Sequence, residues 1–456
     1  MSSPNVLFVL ADDLGWGDVS CHESLIRTPN VDRLMSQGIE LGQHYVQPMC
    51  TPTRASLLTG RYPSRFGPLS TFPSNRPVLP DGYQTIASVF RDGGYDTGLF
   101  GKWHLGSSPR FGPNQFGFNH SYGSLAGGVD PYNHRYKRGE YSFTWHRNGE
   151  LVTEDGHVTD LIADEAINWM ESRSAPWFCY VPFTAVHAPI KAPQHWIDQY
   201  ASEQYDDDPL KDASFKRYAA YTSQMDYVVG RMVESLERTG QRDNTIIVFS
   251  SDNGSIVAAP LDGTDLYPGW QEASPLLGSN LPYRGQKAQL YEGGIRTPTL
   301  INWRGTLESG RMDHPVHVSD WMPTLTNLVG IEPATDPRWD GQDIWPLISG
   351  GDATGDRQIY WNFRAGAGLC IRSGDWKLIS TGDQRSSTSD AAAKGGEGRN
   401  LQLFNIAEDP YEQKDLADDL KSKVTELLEE MDEQFSRDYT DERKDLNLYN
   451  DELNIV

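Results

Sequence analysis

The chain has 456 residues, enough for one large core and a smaller second unit. Forty Lys and Arg against 63 Asp and Glu give a net charge of −23, which argues against nucleic acid or an anionic membrane as the main partner. The four cysteines, Cys21, Cys50, Cys179 and Cys370, are spaced too widely for a disulfide framework or a zinc site, and no apolar stretch approaches the roughly 20 residues that span a bilayer.

The opening run 5–10 is continuously apolar after Asn5, as expected of a strand buried on both faces of a parallel sheet, and it ends in Asp12-Asp13. The run 6–11 is too short for a signal-peptide core and lacks a basic flank. The compartment is therefore open: cytoplasmic for a complete chain, periplasmic or secreted if a leader has been removed. Thr28-Pro29 reads as an N-cap with proline at the first helical position, and Gly38 closes that helix. Cys50 then opens a run, Cys50-Thr51-Pro52-Thr53-Arg54-Ala55-Ser56-Leu57-Leu58-Thr59-Gly60-Arg61, that reads as a short helix. The same alternation continues with a helix over 83–91 stopped by Gly93-Gly94, a strand over 97–100, a helix over 159–173 and a strand over 177–183. A long amphipathic helix over 214–238 and an apolar strand over 245–250 follow. Strands alternating with helices predict an α/β sheet with crossover connections. After about residue 345 the pattern changes to short strands over 359–362, 369–372, 376–379 and 401–405, then a helix over 421–435. The expected division is a catalytic domain over 1–345 and a C-terminal α+β subdomain over 346–456, interrupted by a flexible Ser/Gly/Ala-rich surface loop over 381–400.

In open α/β sheets ligands bind at the carboxyl ends of the strands, and two such ends carry acids: Asp12-Asp13 and Asp252-Asn253. Oxygen ligands from separate strands suit calcium or magnesium better than zinc. Cationic groups follow other elements: Lys102 and His104 in Gly101-Lys102-Trp103-His104-Leu105-Gly106, His187 in Val186-His187-Ala188-Pro189, and Lys287 shortly before Tyr291-Glu292-Gly293-Gly294-Ile295-Arg296-Thr297-Pro298. Taken alone, an Asp-Asp pair is most often a solvated turn, a lone His a hydrogen-bonded structural residue, and a Cys at a helix start a reactive thiolate.

Together these blocks, in this order, resemble the type I sulfatases. The resemblance is strong over residues 5–305 and general beyond, and it implies an alkaline-phosphatase-like fold: a mostly parallel central sheet flanked by helices, with a smaller C-terminal antiparallel sheet and helix. It implies that a maturation enzyme oxidises Cys50 to formylglycine. It also implies that Asp12, Asp13, Asp252, Asn253 and the oxygen at position 50 hold one calcium, magnesium being the alternative. In the implied mechanism one hydroxyl of the hydrated aldehyde attacks sulfur, while Arg54, Lys102 and Lys287 hold sulfate oxygens. His187 protonates the departing alcohol, and His104 deprotonates the second hydroxyl to expel sulfate.

The runs His44-Tyr45-Val46-Gln47-Pro48-Met49-Cys50 and Gly127-Gly128-Val129-Asp130-Pro131-Tyr132-Asn133-His134 are similar to the arylsulfatase B (N-acetylgalactosamine-4-sulfatase) branch and to bacterial sulfatases of sulfated galactans. The second departs from that branch at Pro131 and Asn133. The implied substrate is a sulfated oligosaccharide or polysaccharide of galactose or N-acetylgalactosamine 4-sulfate type, touched by His134, by Trp270 in the long loop 255–283, and by Arg364. Three other readings stand beside it: a small-aryl-sulfate sulfatase, a phosphonate or phosphate ester hydrolase of the same superfamily, and a non-enzymatic sugar-binding module. The last has no use for Cys50, Arg54, Lys102 and His104 together. A two-zinc phosphatase needs further ligands, and His314, His317 and Asp320 lie where a core helix is expected to begin.

Overall fold

The computed structural model describes residues 3–137, 139–257, 259–261, 274–336, 338–351, 355–382 and 399–439. At its centre is a ten-stranded sheet. Its strands in chain order are β1 (Asn5–Ala11), β2 (Ile39–Leu41), β3 (Asp96–Lys102), β4 (His120–Ser124) and β5 (Trp145–Arg147). Then come β6 (Glu150–Leu151), β7 (Trp177–Pro182), β8 (Thr245–Ser251), β9 (Leu300–Asn302) and β10 (Gly310–Met312). Across the sheet the order is β10-β2-β9-β8-β1-β7-β3-β4-β5-β6. The five central strands, β8, β1, β7, β3 and β4, are parallel, whereas β9 runs against both its neighbours and β5 against β4 and β6.

The main helices are α1 (Pro29–Ser36), α2 (Cys50–Thr59), α3 (Ile86–Asp92), α4 (Val158–Glu171), α5 (Pro209–Arg238), α6 (Trp321–Leu328) and α7 (Lys421–Ser436). All seven residues of β1 are buried, for a reason that the side-chain alternation makes plain. Leu7, Val9 and Ala11 pack with α1, α4 and α5, and Val6, Phe8 and Leu10 pack with α2, α3 and α6 on the opposite face. Among the described residues no helix is long and apolar enough to cross a membrane.

The C-terminal sheet is a four-stranded antiparallel meander of β11 (Gln358–Phe363), β12 (Gly368–Ser373), β13 (Trp376–Thr381) and β14 (Asn400–Asn405). Its period of two splits the faces. Tyr360, Ile371, Leu378 and Leu403 receive Val424, Leu427 and Met431 of α7. Trp361, Cys370, Ile379 and Phe404 face the large sheet's body, against Tyr45, Met49 and Ile295. Trp361 also donates its indole N–H to the Val46 carbonyl at 2.9 Å. The segment leading into Cys50 is thus packed from behind by this sheet.

Three helix starts differ from the expected ones, the simplest being α3, which begins at Ile86 and not 83 because Thr85 caps the Ser88 N–H. Thr28 precedes α1 without capping it; its hydroxyl turns to Asp32. The free N–H groups of Asn30 and Val31 are taken by Asp226 of α5, at 3.0 and 2.8 Å. The long helix begins at Pro209, not 214, because Asp208, part of an acidic run that reads as merely solvated, caps the Leu210 N–H at 2.9 Å. Most of the expected loop 381–400 lies outside the described residues.

Candidate active site

Strands β8, β1, β7 and β3 are adjacent and parallel, so their carboxyl ends lie side by side. Asp252 and Asn253 follow β8, Asp12 and Asp13 follow β1, His187 lies beyond β7, and Lys102 is the last residue of β3. Side-chain contacts join these ends. Lys102 Nζ meets Asp12 Oδ2 at 2.7 Å, Asn253 Nδ2 donates to Asp13 Oδ1 at 2.7 Å, and the Asp13 N–H donates to Asp252 Oδ1 at 3.1 Å. Lys287 Nζ reaches Asp13 Oδ1 at 2.5 Å, and His187 Nε2 lies 3.9 Å from Asp13 Oδ2.

Helix α2 brings Cys50 and Arg54 to the same cluster. All ten of its residues are buried, which polar side chains tolerate only if each finds a partner. They do. Thr53 Oγ1 donates to the Asp252 carbonyl at 2.6 Å, Ser56 Oγ to the Arg61 carbonyl at 2.7 Å and Thr59 Oγ1 to the Ala55 carbonyl at 2.6 Å. Pro52 occupies the third helical position, where no N–H is needed, and Gly60 closes the helix at φ 68°. Arg54 places its Nε and one terminal nitrogen on Asp252 Oδ2 at 3.2 and 2.7 Å, and the other terminal nitrogen on the Lys102 carbonyl at 2.8 Å. The motif thus encodes a buried helix fastened to the Asp252 turn.

Three carboxylates, Asp12, Asp13 and Asp252, face three cations, Arg54, Lys102 and Lys287, with no side chain among them more than 8% exposed. Burial, and next the Asp252 carboxylate, push Asp12 up to about 8 against the pull of Lys102. Burial also opposes ionisation of Asp13, but Lys287 and then His187 and Lys102 outweigh it and hold that carboxyl below its usual range. Asp12 Oδ1 and Asn253 Oδ1 are buried without a hydrogen-bond partner. The ligand-capable atoms of Asp12, Asp13 and His187 lie within 4.8 Å of one another. Orphaned hard oxygens, in a place where a carboxylate resists ionisation, fit a divalent cation that prefers oxygen.

The Cys50 thiol is pushed up by burial, with Asp252 and Asp12 acting in the same sense against Lys102 and Lys287. An unmodified Cys50 is therefore a thiol and a poor nucleophile, even at a helix N-terminus. His104 is buried and, by burial first and the Lys102 and Arg54 charges next, held neutral; its Nδ1 has no partner. Its ring lies against Gly127, where a Cβ would come 2.2 Å from Nε2. His187 is lowered to about 3 by burial, and its Nδ1 donates to the Ala188 carbonyl at 2.7 Å, leaving a lone pair on Nε2 facing Asp13.

Among the described residues no contact joins His134 or Arg364 to this network. His134 is buried, with Nε2 on the Gly156 carbonyl at 3.0 Å and its ring stacked on Trp145 at 4.8 Å. Arg364 is exposed on the β11–β12 turn, which docks through its backbone N–H on the Thr71 carbonyl. Trp270 lies outside the described residues. His317 is bound to Ser319 and Gln47, and Asp320 to Arg357 and the backbone ahead of α6, so both serve the core. Gly127, which opens the run 127–134, makes room for His104; a glycine's neighbour cannot be read from its own segment.

A family model described as Sulfatase matches residues 4–331. Arylsulfatase J of Mus musculus is 31% identical over 477 residues, covering 94% of this chain and 75% of that protein. N-acetylgalactosamine-6-sulfatase of Canis lupus familiaris is 31% identical over 402 residues, covering 82% of this chain and 71% of that protein. The solved structure of Ps i-CgsB in complex with k-i-k-neocarrahexaose superposes with a TM-score of 0.81 at 29% identity, over 99% of this chain and 98% of that one.

Proposed function

The chain belongs to the sulfatase family and is a sulfuric ester hydrolase, and from that premise we propose that it desulfates a carbohydrate of galactose or N-acetylgalactosamine 4-sulfate type. In this reading Cys50 is matured to formylglycine and one calcium is held by Asp12, Asp13, Asp252 and Asn253. The observation that carries it is the joining of Asp12, Asp13, Asp252, Arg54, Lys102 and Lys287 at the ends of four adjacent strands, beside a cysteine that burial keeps protonated. A carbohydrate substrate is supported by relatives whose names specify N-acetylgalactosamine 6-sulfate and a bound neocarrahexaose.

When bound, the cation and the formylglycine hydrate supply an acidified nucleophilic hydroxyl and a second hydroxyl on the same carbon. The chain's own groups do the rest. Arg54, Lys102 and Lys287 are preorganised cations for the sulfate oxygens, their side chains already fixed by Asp252, Asp12 and Asp13. Neutral His104 takes a proton through its unpartnered Nδ1. His187 presents Nε2 toward Asp13 and gives a proton to the departing alcohol once the negative charge of a bound ester favours its protonated form.

The test is sulfate release across galactose and N-acetylgalactosamine oligosaccharides sulfated at the 4- or the 6-position, glycosaminoglycan fragments and nitrophenyl sulfate, with and without chelator. Peptide mass spectrometry at position 50 accompanies it. Preference for a 4-sulfated sugar, loss on chelation, recovery with calcium and an aldehyde at Cys50 are expected. Preference for the 6-sulfate overturns the positional assignment, and full activity with an unmodified thiol overturns the mechanism.

A further inference from the structure

Lys377 sits on β13 of the C-terminal sheet, beyond the 4–331 stretch that matches the family, yet its side chain is completely buried. Its Nζ lies 2.8 Å from Glu292 Oε1 and 2.8 Å from Glu412 Oε1, and both carboxylates are buried with it. Glu292 receives the Tyr45 hydroxyl at 2.7 Å and Arg296 at 3.3 Å on its other oxygen, and Arg372 donates to Tyr45. Glu412 accepts the Glu292 backbone N–H at 2.7 Å, and its carbonyl accepts from Arg284 at 2.9 Å. Burial opposes ionisation of Glu292, but Lys377, then Arg296 and Arg372, hold it charged. A buried ion cluster of this kind has large interactions only in one geometry.

What this cluster grips is the segment 284–296, and that segment meets the backbone beside the catalytic groups at three points. The Lys287 N–H donates to the Ser255 carbonyl at 3.1 Å, the Ala288 N–H to the Pro48 carbonyl at 2.9 Å, and the Gly254 N–H to the Gly294 carbonyl at 3.1 Å. The contact leaves no slack, since a Cβ on Gly254 would lie 1.8 Å from the Gly293 carbonyl oxygen. One segment therefore fixes Lys287, the approach to Cys50 and the turn bearing Asp252 and Asn253. Among its own anchors is Lys377, through Glu292.

We infer that Lys377 is a positioning residue for the active site, through which the C-terminal sheet sets the cation-ligand turn and the Lys287 loop by way of Glu292. The inference rests on the proposed reading of those groups, and it makes the C-terminal sheet part of the catalytic apparatus. Supporting residues behind metal ligands typically change cation affinity by roughly 10–100-fold when removed.

The experiment is calorimetric titration of calcium into the matured protein, with hydrogen exchange at 252–255 and 284–296, for the wild type, Lys377→Met, Lys377→Arg and Arg65→Met. Arg65 is the control: it is as deeply buried and ties the Gln434 carbonyl of α7 and Asp438 just beyond it to Asp340 of the body, but among the described residues it has no bond to segment 284–296. Lys377→Met is expected to weaken calcium at least tenfold and to speed exchange at both segments, with partial recovery in Lys377→Arg and no change in Arg65→Met. If Lys377→Met does not accumulate, the pair Glu292→Gln/Lys377→Met removes both charges and is read in the same way. A folded Lys377→Met with wild-type exchange in the two segments overturns the inference. Equal loss in Arg65→Met overturns it too, by showing a general structural effect. Wild-type protein that binds no calcium, with exchange altered in Lys377→Met alone, defeats the calcium reading and leaves the positioning role standing.

Discussion

The sharpest steric prediction concerns Gly254, which follows the proposed ligands Asp252 and Asn253. A Cβ there would sit 1.8 Å from the Gly293 carbonyl oxygen, and contacts under 3.0 Å are essentially never seen, so one of the two backbones must retreat by about 1.2 Å. Neither retreats freely. The Gly254 N–H is bonded to Gly294, Asn280 Oδ1 would lie 3.0 Å from the same Cβ, and a Cβ on Gly293 would in turn lie 2.7 Å from the Gly285 carbonyl oxygen. A misplacement of about 1 Å costs on the order of 10²-fold in rate, or about 2.7 kcal/mol of activation free energy. Gly254→Ala should therefore lose about two orders of magnitude in kcat/KM for sulfate release, alongside weaker calcium binding. Gly310→Ala is the matched control, since its Cβ meets only Ile39 at 3.7 Å. The assay is initial-rate sulfate release from a sulfated galacto-oligosaccharide, with circular dichroism to confirm folding. A Gly254→Ala enzyme within threefold of wild type would refute the claim that these two turns fix each other.

Cys50→Ala and Cys50→Ser should each lose on the order of 10⁴-fold or more in turnover with an unchanged thermal midpoint, because neither side chain yields two hydroxyls on one carbon; substantial residual turnover by the serine variant would refute the proposed nucleophile. His187→Ala should slow the saccharide reaction by roughly 10²–10⁴-fold and nitrophenyl sulfate far less, since only the poor alcohol leaving group needs its proton; equal losses in initial-rate assays would remove the acid assignment. Burial raises Asp226 to about 6, above its unfolded value, even though the Val31 and Asn30 donors oppose the shift. The folded state therefore holds that proton more tightly, and this group's contribution to stability is lost as pH rises from about 4 through 6, by roughly 3 kcal/mol in all. In urea unfolding series over that window Asp226→Asn should flatten the pH slope, and an identical slope in both proteins would refute the assignment.

The sequence alone determined the fold class and the identities of the groups that meet. Short continuous apolar runs such as 6–10 read as strands covered on both faces, and polar residues that follow such strands are delivered to one edge of a parallel sheet. Spacing within the run from Cys50 to Gly60 likewise favours its helix and its stop, because proline position and a left-handed closing glycine are local matters. Only the tertiary structure decided which groups hold one another. The cap of α1 comes from Asp226, 195 residues beyond Val31 in the chain, and Gly127 serves His104, because contacts across such distances depend on where whole elements pack. Lys377 shows the limit most clearly. In its strand it is a single lysine between Trp376 and Leu378-Ile379, and nothing local says which partner would meet its charge. Its charge is tolerated there only because Glu292 and Glu412 arrive from two distant segments, so its role exists in the assembled fold and nowhere in the order of residues.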